Sequence, residues 1–121
     1  MRTCLLVGLG GFVGSVLRYG LSLLPVVGKS GFPVMTLIIN VVGALLIGLL
    51  VGLATRFEGL NTDWLTFLKV GVCGGFTTFS TFALELHTLM GSGRVWTGAA
   101  YVVASLVLGV CAVWLGRTLV A

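Results

Sequence analysis

Charge is what this chain has least of. Asp, Glu, Lys and Arg make up 8% of its 121 residues, against roughly a quarter in a soluble domain. Only three residues are acidic. Glu58 and Asp63 fall in a polar loop, and Glu85 lies near the end of an apolar run. No carboxylate therefore sits in the middle of an apolar segment, where a cation pore or proton-coupled carrier ordinarily places one. Histidine occurs once, as His87, with no metal-ligating group spaced around it. Cys4, Cys73 and Cys111 have no metal-ligand spacing and sit among apolar neighbours, as small buried side chains do. No Ser/His/Asp or Cys/His set suggests nucleophilic catalysis, so an enzyme is not expected.

What the chain has is apolar length. Hydrophobic residues make up 58% and the mean hydropathy is +1.19. The size allows one domain, residues 1–121. A membrane span needs about 20 mostly apolar residues, and four such stretches run from about 3 to 24, 33 to 54, 64 to 89 and 95 to 119. Pro25 and Pro33, with Gly28 to Gly31 between them, mark the first turn, and Gly91-Ser92-Gly93 marks the last. Trp64, Trp96 and Trp114 lie near span ends, where an aromatic belt places them. The net charge of +4 comes from scattered residues flanking the apolar runs, which suits lipid headgroups and not nucleic acid. Arg2 followed by an apolar stretch has the look of a signal peptide, but Arg18 and the long continuation read as a retained span. Gly8 to Gly14 imitates a dinucleotide fingerprint, yet Val13 stands where glycine is required and no βαβ pattern surrounds it.

Four spans put both termini on one side. Arg2, Arg56, Lys69 and Arg117 fall on that side, and Arg18, Lys29 and Arg94 on the other. Orientation follows Lys/Arg asymmetry, and a difference of one does not fix it. Either a single residue such as Arg2 decides, or the chain inserts both ways and pairs antiparallel with itself.

Small and polar residues recur at helical spacing. Thr36, Asn40, Ala44, Gly48 and Gly52 form one stripe; Gly10, Gly14 and Arg18 a second; Thr97, Tyr101, Ser105 and Gly109 a third. Small residues at this spacing let helices approach closely. Asn40 is different, because an amide deep in an apolar span must find partners. It either glues helices together or donates to something that passes. Arg18 and Glu85 lie near span ends, where snorkelling and function are both open.

The third span carries Gly74-Gly75-Phe76-Thr77-Thr78-Phe79-Ser80-Thr81-Phe82. The paired glycines are expected to loosen the helix, and hydrocarbon offers freed backbone groups no partner. The segment is therefore expected to lie against protein or line a polar path. Donors dominate its neighbourhood: Asn40, the Thr and Ser hydroxyls, Tyr101 and Ser105. Donors without carboxylates suit an anion, and Phe rings add a partly positive edge.

Three motifs carry a family resemblance. Gly-Gly-Phe-Val-Gly-Ser-Val-Leu-Arg-Tyr (10–19), Thr-Leu-Ile-Ile-Asn-Val-Val-Gly (36–43) and Gly-Val-Cys-Gly-Gly-Phe-Thr-Thr-Phe-Ser-Thr-Phe-Ala-Leu-Glu (71–85) are similar to those of the Fluc/CrcB fluoride channels. The likeness covers the whole chain in length, span count and motif order. It implies an all-α membrane protein of four transmembrane helices, the third broken near its middle, around Gly74 to Thr77. It implies an antiparallel, dual-topology homodimer with two fluoride pores, exporting fluoride passively from the cytoplasm across the inner membrane of a prokaryote. Phe79 of one subunit and Phe82 of the other would line each pore. Asn40 would donate beside them, and Ser80, Thr81, Tyr101 and Ser105 would add polar groups along the path. Arg18 would attract anions at an entrance. The backbone carbonyls of Gly74 and Thr77 from both subunits would hold a structural Na⁺.

Two other readings compete. A small multidrug-type four-helix cation/proton antiporter has this size, but it needs a first-span carboxylate and this chain has none. A membrane scaffold would use the glycine stripes and leave the Phe/Thr segment unexplained.

Overall fold

A computed structural model describes residues 1–120. The described residues contain helices and turns only. Helix α1 spans Arg2–Ser22 and α2 spans Val34–Arg56, joined through a short 3₁₀ turn at Lys29–Gly31. The third span is composite. It begins as α3 (Thr62–Thr66), continues as a π-helical stretch Phe67–Cys73, and returns to α-helix as α4 (Gly74–Phe76). After a break it resumes as α5 (Phe79–Gly91), and α6 runs Val95–Val120. Among the described residues four segments are long and apolar enough to cross a membrane: Arg2–Ser22, Val34–Arg56, Thr62–Gly91 and Val95–Val120.

Burial follows the membrane solvent. Among the described residues the buried apolar side chains are Ile39, Cys73, Phe76, Leu89, Tyr101 and Ala112, while Leu17, Leu106, Val110 and many similar side chains face outward. Water would penalise that surface; hydrocarbon does not. Trp64, Trp96 and Trp114 are all exposed near helix ends. The termini are tied down at one end of the bundle: Arg2 pairs with Asp63 at 2.8 Å and Arg56 Nη1 donates to the Val120 carbonyl at 3.2 Å.

The helices pack as two pairs that the third span joins. Helix α2 lies along α6, and α1 lies along the π-helical stretch and α4. Helix α5 leaves α1 and packs on α6 instead. The break thus lets one span serve two partners. Backbone-to-backbone contact makes both pairs. A Cβ on Gly10 would come within 2.8 Å of Gly71 Cα, and one on Gly48 or Gly116 would strike the facing helix's backbone. Gly109 departs from its expected stripe: nothing lies within 4 Å of the place a Cβ would occupy.

The paired glycines do not loosen the chain. Gly74 and Gly75 belong to α4, and the extended residues come later, at Thr77 (ψ 156°) and Thr78 (φ −148°, ψ 120°). Gly75 serves packing, because a Cβ there would lie 2.6 Å from the Gly11 carbonyl oxygen of α1. Gly74 faces open space. We therefore expect Gly75→Ala to destabilise the fold by about 1–3 kcal/mol, the usual cost of overpacking. Gly74→Ala is expected to leave the stability of the single chain unchanged. Thermal or denaturant unfolding in detergent measures both, and equal losses would contradict this assignment.

Candidate functional site: the helix break and its groove

A helix broken at mid-membrane depth loses backbone hydrogen bonds that hydrocarbon cannot replace. One side chain repairs the damage at its most extended residue. Asn40, from the first third of α2, donates through Nδ2 to the Thr78 carbonyl at 3.0 Å and accepts the Thr78 N–H through Oδ1 at 2.8 Å. A single amide so satisfies both backbone groups of one extended residue. Arg18 of α1 contributes next, its Nε donating to the Gly75 carbonyl at 3.1 Å. Thr77 Oγ1 bonds back to the Cys73 carbonyl at 2.9 Å. Thr78 then caps α5: its Oγ1 accepts the Thr81 N–H at 3.2 Å and donates to Thr81 Oγ1 at 3.1 Å.

These bonds leave some carbonyls over. In an unbroken helix the Thr78 and Thr81 N–H groups would serve the Gly74 and Thr77 carbonyls. They go instead to Asn40 and to Thr78 Oγ1. Two carbonyl oxygens per chain are hard donors of the kind that bind Na⁺, and a full shell takes more than two. The donor chemistry therefore fits such an ion when a second copy of the chain contributes as well.

The break opens on a groove of about 870 Å³. Asn40, Gly74, Thr77, Phe79, Phe82 and Ser105 all line it. Phe79 is 79% exposed, with its ring 5.9 Å from that of Phe82. The second Nδ2 hydrogen of Asn40 has no bonded partner among the described residues. Ser105 Oγ is buried and is the unpartnered buried polar side-chain atom among them. Lys69 lines the same groove.

Other expected site residues lie elsewhere in the single chain. Ser80 is exposed and near Thr78 Oγ1 (3.5 Å), and Thr81 is tied up in the α5 cap. Tyr101 is fully buried against Phe82, ring centroids 4.9 Å apart, and its hydroxyl donates to Glu85 Oε2 at 3.4 Å. Arg18 is half-buried and engages the break through its Nε. Glu85 is the residue that reading the chain undervalued. It points inward, held by Thr36 Oγ1 as well as Tyr101. The signal available was that Thr36, one helical stripe position before Asn40, shares the depth of a lone carboxylate.

Fold and site together define a class: a small four-span membrane protein whose third span breaks beside a groove lined by phenylalanines and hydrogen-bond donors. A sequence model of the family described as CrcB-like protein, Camphor Resistance (CrcB), matches residues 5–117, and the chain belongs to that family. Curated relatives agree in length. The chain is 43% identical over 122 residues to the "Fluoride-specific ion channel FluC" of Methylobacillus flagellatus, covering 99% of this chain and 95% of the relative. It is 45% identical over 121 residues to the protein of that name from Rhizobium meliloti, covering 98% and 96%. The one from Ruminiclostridium cellulolyticum is 45% identical over 114 residues, covering 93% and 88%.

The geometry separates structural from available polar groups. Asn40→Ala removes both partners of Thr78 and is expected to cost about 1–3 kcal/mol of stability. Ser105→Ala removes an unpartnered hydroxyl, and its unfolding temperature is expected to equal or exceed the parent's. A Ser105→Ala protein as unstable as Asn40→Ala would contradict the assignment.

Proposed function

We propose that the protein is a fluoride-selective channel, not an enzyme, exporting fluoride passively from the cytoplasm of a prokaryote. It works as an antiparallel homodimer in the inner membrane, with two pores and a structural Na⁺ between the copies. The observation that carries this reading is the groove. Asn40 and Ser105, each with a donor that has no bonded partner, line it together with Phe79 and Phe82 in a member of this family. Relatives that match it over nearly their whole length carry the name fluoride-specific ion channel.

Physical chemistry supports the same reading. A small anion loses much hydration free energy on entering a narrow path, and fixed donors offset that loss. The N-terminus of α5 begins at Phe79, and the positive end of a helix dipole favours an anion there. Ring edges of Phe79 and Phe82 add weaker electrostatic attraction. A second copy over the open face turns the groove into an enclosed path. It also brings the Gly74 and Thr77 carbonyls of both copies together, where a bound Na⁺ would supply the positive charge those oxygens lack. Both of the chain's charge-bearing ends are of similar basicity, as insertion in two orientations needs.

Purified protein in liposomes is expected to release fluoride far faster than chloride. Phe79→Ile and Phe82→Ile keep bulk and remove the ring edge; each is expected to lower fluoride efflux by about tenfold or more, roughly 1.4 kcal/mol of barrier, while the dimer persists. Normal efflux from both variants would reduce the rings to packing, and equal fluoride and chloride release would overturn the selectivity. A reporter fused to the C-terminus is expected on both faces of the membrane. A single orientation would remove the antiparallel dimer from the account.

A further inference from the structure

The loop between α1 and α2 is held by one guanidinium. Arg94 Nη1 donates to the Ser30 carbonyl at 3.1 Å and lies against Gly31, where an added Cβ would collide with it. Ser30 (φ 56°) and Gly31 (φ 75°) are consecutive left-handed residues, and Ser30 is the non-glycine residue with positive φ among those described. A conformation that backbone sterics disfavour needs an outside hold. Arg94 is itself rigidly mounted. Its N–H bonds to the Leu89 carbonyl at 2.9 Å, closing α5, and its carbonyl accepts the Gly98 N–H at 3.0 Å, opening α6.

The clamped loop reaches the interior through one ring. Gly28 N–H bonds to the Phe32 carbonyl at 3.0 Å, and Phe32 sets its ring edge-on to Tyr101, centroids 5.5 Å apart at 69°. Tyr101 in turn touches Phe82 and donates to Glu85. A pocket of about 450 Å³ lies under the loop, lined by Phe32, Thr36, Glu85 and Arg94 among others. This pocket is separate from the groove at the helix break, and Tyr101 stands between Phe82 of the groove and Phe32 of the pocket.

We propose that Arg94 is a positioning residue for transport: by clamping Ser30 and Gly31 it seats Phe32 on Tyr101, and so fixes where the Tyr101 hydroxyl meets Glu85. Arg94 acts through the loop and has no contact with the ion. The transport part of this inference rests on the fluoride-channel reading; the positioning part does not. A Lys at position 94 keeps a donor for the Ser30 carbonyl, whereas Ala keeps none.

Two readouts test it. In liposomes, Arg94→Ala and Phe32→Leu are each expected to slow fluoride efflux severalfold, with the double variant no slower than the slower single one. Arg94→Lys is expected to restore most of the rate. The second readout is fluorine NMR of fluorotyrosine-labelled protein in detergent, which is indifferent to the transported ion. The chain has two tyrosines, Tyr19 and Tyr101, and Tyr19→Phe assigns them. The Tyr101 resonance is expected to move in Arg94→Ala and in Phe32→Leu, alike in both, with Tyr19 unmoved. An unmoved Tyr101 resonance, or additive losses in the double variant, would overturn the proposal. Wild-type protein that carries no fluoride would overturn the channel reading, and the NMR result would still decide the clamp.

Discussion

Everything distinctive in this fold depends on the two hydrogen bonds between Asn40 and the backbone of Thr78. An extended residue in hydrocarbon leaves an N–H and a carbonyl each worth several kcal/mol if unpaired. Asn40 answers both at once because its amide presents a donor and an acceptor side by side, as a peptide does. With the break made stable, the third span packs its first half on α1 and its second half on α6. Helix α5 then begins near the middle of the span, and its N-terminal residues open on the groove.

Glycine and carbonyl chemistry complete the arrangement. Close backbone approach at Gly10, Gly71 and Gly75 holds the first half of the third span against α1. That contact brings Arg18 to the Gly75 carbonyl, so a charge within a span is matched to a group the break released. No side chain donates to the carbonyls of Gly74, Phe76 or Thr77, and of these three residues Gly74 and Thr77 line the groove. Stability and function are thereby divided between neighbours. Asn40, Arg18 and Thr78 hold the break, and the proposed channel role falls on Ser105, Phe79 and the remaining Asn40 N–H.

The spans were legible because hydropathy and length answer directly to bilayer thickness. The site was legible in part. Asn40 announced itself as an amide that needs partners, and its position in the groove agrees with that. Its bidentate grip on Thr78 did not show, since the partner is backbone and backbone carries no residue label. The paired glycines misled for a related reason: glycine permits a break and permits close packing, and only the facing α1 backbone decides between them. The π-helical stretch Phe67–Cys73 had no sequence signal at all; it packs along α1. Glu85 and Tyr101 were each read alone, as a charge near a span end and a path hydroxyl. Their pairing is tertiary, between α5 and α6, and so is the link from Thr36. Arg94 drew notice only as a loop charge, because its grip on Ser30 crosses 64 residues of sequence.

The central claim is that an antiparallel copy closes the groove at the helix break. Electron–electron distance measurement on the protein in nanodiscs tests it most directly, with a spin label on a cysteine placed at Leu60 and the three native cysteines replaced. In an antiparallel dimer the two labels lie on opposite membrane faces, so the predicted separation exceeds the hydrocarbon thickness of about 30 Å. Labels well inside that distance, as a parallel pair would place them on one face, would contradict the account.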